Sequence, residues 1–319
     1  MGRKALIADR KCLFLHTVMS NKAISILIPI YNSVCVNQVK ELSTQAQKLN
    51  VDYEIIVADD DSPNKEAVKG NELINDIPNC QYIVKSTNTG SAATRNFLAE
   101  KSKYPWLLFI DCDVVITSPQ FLYTYLLYID KEYDVINGGI TIADMPQMES
   151  NLRYLYEKDA EATHTAAKRQ QNRYQEFRST NFMIRRDVFQ KCTFDERFKK
   201  SGYEDVLFGK QLKQSAIPVL HIDNPVTMTE FETNPDYINK TERNLRTLYQ
   251  FRNDLRGYSR LLTLVSGIHI PAILWLIRLW HQLFGQIERR NLCGSRPYLL
   301  VFKLYRLGYY LSLLNNREG

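Results

Sequence analysis

Trp106-Leu107-Leu108-Phe109-Ile110-Asp111-Cys112-Asp113 is an apolar run that ends in two carboxylates one residue apart. The run is too hydrophobic for an exposed strand, so it reads as a buried one. Asp111 and Asp113 then stand at a sheet edge as two hard oxygen donors. Oxygen donors of that kind suit a divalent cation, which would share them with phosphate. In isolation an Asp-x-Asp is more often an acidic turn after a core strand, and the surrounding segments reverse that balance.

Upstream, Ile24 to Tyr31, Tyr53 to Ala58 and Cys80 to Lys85 read as three further strands. Helical stretches separate them over 37–49 (Val39, Leu42, Ala46 and Leu49 in step), 65–76 and 92–101. Strands alternating with helices imply parallel pairing with right-handed crossovers. Ligands in such sheets bind beyond the carboxyl ends of the strands. The turns after the first, second and fourth strands carry Tyr31-Asn32, Asp59-Asp60 and Asp111/Asp113, so these are expected on one rim. No G-x-G-x-x-G follows the first strand, which excludes a Rossmann dehydrogenase. Tyr31-Asn32-Ser33 also lacks the Gly-rich, Arg-containing loop of a nucleotidyltransferase.

Downstream the pattern loosens. Tyr133 to Ile142 reads as a strand containing Gly138-Gly139, and 149–175 as a long polar helix with a mobile loop. A strand over 179–185 precedes a helix opening at Asp187. Glu204-Asp205 sit in the first turn of a helix over 206–213, where orphan N–H groups and the dipole favour carboxylates; capping alone would account for them. His221, on the run Val219 to Ile222, reads as a hydrogen-bonded core histidine rather than a ligand. Arg185-Arg186 read as an exposed strand-to-helix junction, and the tyrosines of 123–128 as packing residues.

Composition sets the outer bounds. The 319 residues, 45% hydrophobic and 24% charged, are enough for one large domain or a domain with an appendage, and disorder is not expected. The net charge of +6 gathers in the last third, which suggests a polyanionic partner such as a membrane surface. No nucleic-acid-binding module is recognisable. Six cysteines (Cys12, Cys35, Cys80, Cys112, Cys192, Cys293) are scattered without CxxC pairs or zinc spacing, as in a reducing cytosolic compartment. Residues 1–22 are too broken by charge for a secretory signal and read as a flexible extension. After an amphipathic helix over 236–255, an apolar stretch over 261–277 lies at the lower edge of the ~17–25 residues of a spanning helix. His269 and Pro271 interrupt it, and a second apolar-basic segment follows over 298–314. Mixed Trp, Tyr, Leu and Arg faces suit interfacial helices on a membrane. The alternative is helices packed on the domain, or on a second copy in a homo-oligomer.

Six segments in order resemble a family 2 inverting glycosyltransferase of the bacterial polysaccharide type. They are Ser25 to Asn32, Ile55 to Ser62, Asn88 to Asn96, Asp111-Cys112-Asp113, Asn181 to Phe189, and Phe194 to Asp205. The resemblance covers roughly residues 23–230. It implies the GT-A fold, an α/β, Rossmann-like mixed sheet flanked by helices, here with a C-terminal helical appendage. The expected division is 1–22 extension, 23–230 catalytic domain, and 231–319 helical region that associates with membrane.

The implied reaction is transfer of a hexosyl or N-acetylhexosaminyl group from a nucleotide-sugar, most often a UDP-sugar, to a hydroxyl of a glycan or lipid-linked acceptor. Pro29 and Tyr31 would line the base pocket and Asp59 would hydrogen-bond the base. Arg95 would support the base and diphosphate. Asn32, Asp60 and Asn181 join them as donor-binding positions. Asp111 would face ribose and metal, and Asp113 would ligate Mg²⁺ or Mn²⁺ most directly. Asp205 would be the catalytic base, with Glu204 shaping the acceptor pocket. Inversion would follow from direct in-line displacement, and the inner face of the cell membrane is the implied location. Two departures stand out: Asp61 where the family usually has Gly, and Met228 where a His often completes the metal site. They keep open a catalytically silent GT-A scaffold that binds nucleotide or glycan.

Overall fold

The computed structural model describes residues 22–129, 131–199 and 202–315; the expected N-terminal extension lies outside them. The first half alternates as the periodicity predicts. β1 (Ala23–Ile30), α1 (Val36–Leu49), β2 (Asp52–Asp59) and α2 (Lys65–Asn71) lead through a 3-10 turn (Glu72–Asp76) to β3 (Cys80–Val84). α3 (Ser91–Lys101), β4 (Trp106–Ile110), β5 (Val114–Val115) and α4 (Phe121–Leu126) follow. The strand expected over Tyr133–Ile142 is instead two, β6 (Val135–Asn137) and β7 (Ile140–Ile142), broken at Gly138-Gly139 and assigned to different sheets. The polar stretch 149–175 forms two short helices, α5 (Leu152–Glu161) and α6 (Ala166–Gln171), rather than one long helix. β8 (Asn181–Arg185), α7 (Arg186–Lys191), α8 (Glu204–Gln214), β9 (Val219–His221) and β10 (Val226–Met228) complete the sheet-bearing part. Four helices end the chain: α9 (Asn234–Gln250), α10 (Arg260–Gly267), α11 (Pro271–Cys293) and α12 (Leu299–Asn315).

The main sheet has the order β3-β2-β1-β4-β8-β6-β9, and β5-β10-β7 form a second. β1 to β4 pair in parallel, whereas β8 runs antiparallel to both β4 and β6, so the sheet is mixed. The two-residue period of a strand explains both layers. Ile24, Ile26 and Ile28 face α1 with Val39 and Leu42. Leu27, Leu107 and Phe109 face the opposite layer with Leu98 of α3, Phe189 of α7 and Phe208 of α8. In that layer Phe109 stacks on Phe182 at 4.9 Å and Phe194 on Phe208 at 4.3 Å. The packed phenylalanines fix α3 and α8 against the sheet, and each helix begins at the rim where the acidic turns emerge.

The C-terminal helices divide in behaviour. α9 buries Leu245 and Leu248 in the α3–α8 layer, and α12 contributes Tyr310 to it. Phe302 and Tyr305 of α12 join Ile238 and Leu292 in a smaller cluster. The apolar stretch 261–277 is not one helix: it breaks at 268–270 between α10 and α11. Among the described residues no helix is long and apolar enough to cross a membrane.

Candidate active site

The register sets the rim. Ile30 of β1 lies opposite Asp59 of β2, and Leu27 opposite Phe109 of β4, so the exits of all three strands are level. Asn32 takes a left-handed backbone at φ 55°, which asparagine tolerates. Its N–H donates to Ser62 Oγ at 2.8 Å and its Oδ1 accepts from Asn64 N, tying the first rim turn to the second. Asp61, the departure from glycine, keeps the left-handed conformation at φ 60°; the turn keeps its shape, because an aspartate is among the residues that accept it. Asp59 is buried, its carboxylate accepting from Ser62 N at 2.8 Å and Tyr82 Oη at 2.7 Å. Pro29 is half-buried and Tyr31 exposed at the same edge.

Asp60 does different work from the donor-binding role expected of it. Its carboxylate accepts from Lys85 Nζ at 2.6 Å and from the backbone N–H groups of Thr89 and Gly90 at 3.0 and 2.7 Å. Burial raises its pKa, but these donors outweigh that and hold it below the ordinary value. Asp60 therefore locks the turn before α3 with both of its oxygens engaged. That turn needs Gly90, which sits at φ 91° with Lys199 O 2.5 Å from where a Cβ would stand.

Arg95 of α3 draws the distant carboxylates together. Its Nη2 donates to Asp111 Oδ1 at 2.7 Å, and its Nη1 lies 3.7 Å from Glu204 Oε1. Its guanidinium also lies over the Phe194 ring at 5.4 Å. The end of β4 and the start of α8, nearly a hundred residues apart in sequence, thus share one buried cation. Gly202 and Tyr203 both have positive φ, and this strained entry turns the chain so that α8 begins beside Arg95. Glu204 accepts from Ser91 Oγ at 2.8 Å and from Gly202 N at 2.7 Å. It braces α3 against α8.

Asp205, one residue on, is freer. Its side-chain exposure is 18%, one oxygen accepts from Val206 N at 2.8 Å, and the other lies 3.9 Å from Arg178 Nη1. Burial raises its pKa to about 6, against the attraction of Arg178 and with the repulsion of Glu204. A carboxylate poised there is ionised at neutral pH yet basic enough to take a proton. Arg178 was not legible as a site residue, since it lies in irregular chain between α6 and β8 with no motif around it.

Asp113 is exposed at the end of the same turn. Burial of the surrounding rim and the charge of Asp111 raise its pKa, while Arg153 and Lys240 oppose them from across the cleft. Those two cations are themselves paired to Glu232, Lys240 at 2.5 Å. Two crowded carboxylates, one of them exposed, are a donor set that fits a hard divalent cation. Among the described residues no cluster of three His, Cys, Asp or Glu could hold a metal, so water and ligand oxygens would have to complete the shell. Met228 is buried in an apolar cluster with Ile142 and Tyr154. His221 is buried too: its Nδ1 accepts from Arg169 Nε at 3.2 Å, its Nε2 lies 2.8 Å from Arg173 O, and burial lowers its pKa to about 4.

Asn181 is corrected outright. At 1% exposure, its Nδ2 donates to Gly139 O and Asn224 O, both at 2.9 Å, and its Oδ1 accepts from Tyr125 Oη at 2.6 Å. With its amide spent joining β8 to the β6–β7 break, it cannot touch a donor. A cavity of about 600 Å³ lined by Lys85, Asn96, Phe97 and Arg186 includes none of the rim carboxylates. The five described cysteines are free, and Cys12 lies outside the described residues.

Residues 25–193, more than half of the chain, match the family described as Glycosyl transferase family 2. The chain belongs to glycosyl transferase family 2. Its mixed sheet flanked by helices is the GT-A fold. An uncharacterized glycosyltransferase of Haemophilus influenzae (strain ATCC 51907 / DSM 11121 / KW20 / Rd) is 27% identical over 127 residues, 40% of this chain. The match spans 50% of that protein's length. Among solved structures, the mannosyltransferase PcManGT from Pyrobaculum calidifontis, in complex with GDP-Man and Mn²⁺, aligns with 98% of this chain and 95% of its own. Its TM-score is 0.52 at 11% identity, a likeness of fold. S. aureus TarS 1–349, also solved in complex with UDP-GlcNAc, aligns at 17% identity over 93% of this chain and 92% of its own, with a TM-score of 0.48.

Proposed function

We propose that this family 2 member is an inverting, metal-dependent hexosyl- or N-acetylhexosaminyltransferase. It moves sugar from a UDP-sugar to a hydroxyl of a glycan or lipid-linked acceptor in cell-surface polysaccharide synthesis, at the inner face of the cell membrane. The observation that carries this reading is the Arg95 bridge, which contacts Asp111 and Glu204 and so ties the Asp111/Asp113 turn to the helix start bearing Asp205.

Within that reading Tyr31 and Pro29 flank the base, Asp59 meets its edge, and Asp111 with Asp113 hold Mg²⁺ or Mn²⁺. The cation supplies neutralisation of the charge that develops on the departing diphosphate. Arg95 keeps buried N–H groups without an acceptor, and these favour negative charge beside Asp111. Asp205 accepts the proton of the acceptor hydroxyl as it attacks the anomeric carbon. Arg178 keeps Asp205 ionised, and the separate origin of Asp205 on α8 keeps it apart from the metal turn. Attack from the face opposite the leaving group inverts the anomeric centre.

A panel of nucleotide-sugars, scored by thermal shift with and without Mn²⁺ and by product formation, tests the reading. The expected result is Mn²⁺-enhanced stabilisation by a UDP-sugar that Asp113→Asn removes. A protein that none of the donors stabilises, with or without Mn²⁺, sinks it. The silent scaffold is separated by Asp205→Asn, which stops transfer while leaving donor binding intact in an enzyme and changes nothing in a scaffold.

A further inference from the structure

α11 is amphipathic the wrong way round for a helix in water. The side that meets α12 carries polar groups: Glu288, 6% exposed, accepts from Trp280 Nε1 at 2.9 Å and lies 3.0 Å from His281 Nδ1. Gly308 of α12 lets that contact form, since a Cβ there would stand 2.6 Å from His281 Cβ. The side that meets solvent is apolar. Ile273, Leu276, Trp280, Leu283 and Ile287 recur at intervals of three and four along one stripe, with Leu283 65% exposed and Ile287 61%. Trp280 has its only polar atom turned inward to Glu288, so it offers hydrocarbon outward. The Phe284 ring lies tilted against it, centroids 4.4 Å apart. The stripe runs about 21 Å at 1.5 Å per residue. Leu264 of α10 and Ile270 at the break extend it, at 52% and 58% exposed.

An apolar face of this extent is costly in water and marks a contact surface. We infer that the exposed face of α10 and α11 seats in the headgroup layer of an anionic lipid bilayer, parallel to its plane. The argument for lipid over a protein partner is charge. Residues 231–319 hold thirteen Lys and Arg against six Asp and Glu, which exceeds the net +6 of the whole chain. Exposed Arg290 and Arg296 lie at the end of α11 beside the stripe, and exposed Arg256 and Arg260 precede α10. A hydrocarbon stripe bordered by arginines is the pattern of an interfacial helix drawn to anionic headgroups. Only one side of α11 is available, because its other side is committed to α12 and to Glu242 and Asn239 of α9 through Arg289. α12, on which α11 packs, leads toward α8: Arg306 of α12 donates to Tyr156 Oη at 2.9 Å, and its charge acts on Tyr203 at the start of α8. An acceptor anchored in that bilayer would therefore meet Asp205 from the α12 side.

The test is co-sedimentation of the full chain with vesicles of neutral phosphatidylcholine and of phosphatidylcholine with 30% phosphatidylglycerol. Binding to the anionic vesicles is expected to exceed neutral binding at least tenfold and to weaken as salt rises. Leu276→Glu/Leu283→Glu should abolish it without lowering the melting temperature, both side chains being exposed. Arg290→Glu/Arg296→Glu should weaken only the anionic arm. Asp113→Asn should bind vesicles as the unaltered chain does, so failure of the transfer reading leaves this one standing. No partition into either vesicle overturns the inference, as does equal partition into both. A dimer detected by light scattering and split by Leu276→Glu/Leu283→Glu, with no vesicle binding, assigns the face to a second copy instead.

Discussion

Asp205→Asn is expected to make the protein more stable while it stops transfer. Ionised Asp205 is held in a site that resists its charge, its pKa raised from 3.8 to about 6. Each unit corresponds to about 1.4 kcal/mol, so the folded state carries up to ~3 kcal/mol against the ionised form. Glu204 shares in that repulsion and Arg178 relaxes when the charge is gone, which leaves a gain of about 1–2 kcal/mol. The asparagine amide oxygen still accepts from Val206 N. The sign follows from proton binding: between pH 3.8 and about 6 the folded chain holds a proton that the unfolded chain has lost. The contribution of Asp205 therefore turns unfavourable as pH rises through that window. Differential scanning fluorimetry should show no gap between variant and parent below pH 4, and a gap of roughly 2–6 °C above pH 7. In the active parent, kcat/KM should climb with pH through about 6, and the variant should lose roughly a hundred- to ten-thousand-fold. A gap of constant size across pH, or a variant less stable at pH 7.5, refutes the reasoning.

Three other outcomes are expected. Arg95→Met leaves Asp111 and Glu204 without their shared cation and should cost about 3–5 kcal/mol in urea unfolding, with Arg95→Lys recovering only part because it cannot span both carboxylates. Asn181→Ala strands Asn224 O and takes one of two partners from Gly139 O and from Tyr125 Oη; it should cost about 1–3 kcal/mol, while the folded fraction binds donor with unchanged affinity in calorimetry. Burial holds His221 neutral in the folded state down to about pH 4, whereas the unfolded chain takes up the proton near 6.5. Stability should therefore fall as pH drops between those values, and His221→Gln should flatten that slope in acid melts.

The parallel half of the fold was legible because its strands and helices differ in period and its turns carry polar residues at each strand exit. The main departures came where tertiary contacts override local pattern. Gly138-Gly139 looked like part of one strand, yet the chain changes sheets there, tied by the buried Asn181 amide. Asn181 and Asp60 both read as ligand-facing polar residues; sequence does not reveal whether a polar group is already saturated by backbone. Glu204-Asp205 could be read as a helix cap, and only the Arg95 bridge distinguishes a braced carboxylate from a free one. Arg178 carries no signal at all, since its position depends on how α6 and β8 are joined. On the C-terminal helices the apolar content was plain, but its outward direction on α11 depends on which side α12 covers.

The insertion of β8 between β4 and β6 has a consequence for synthesis on the ribosome. The rim turns that carry Pro29 to Asp113 emerge first and form local parallel crossovers. The all-apolar β4 meanwhile has one margin with no neighbour until residues 181–185 arrive. A chain stalled or truncated in that interval presents a bare hydrophobic strand, the kind that pairs with copies of itself. Shortened forms ending between 115 and 180 should accumulate as insoluble material rather than as a small nucleotide-binding fragment.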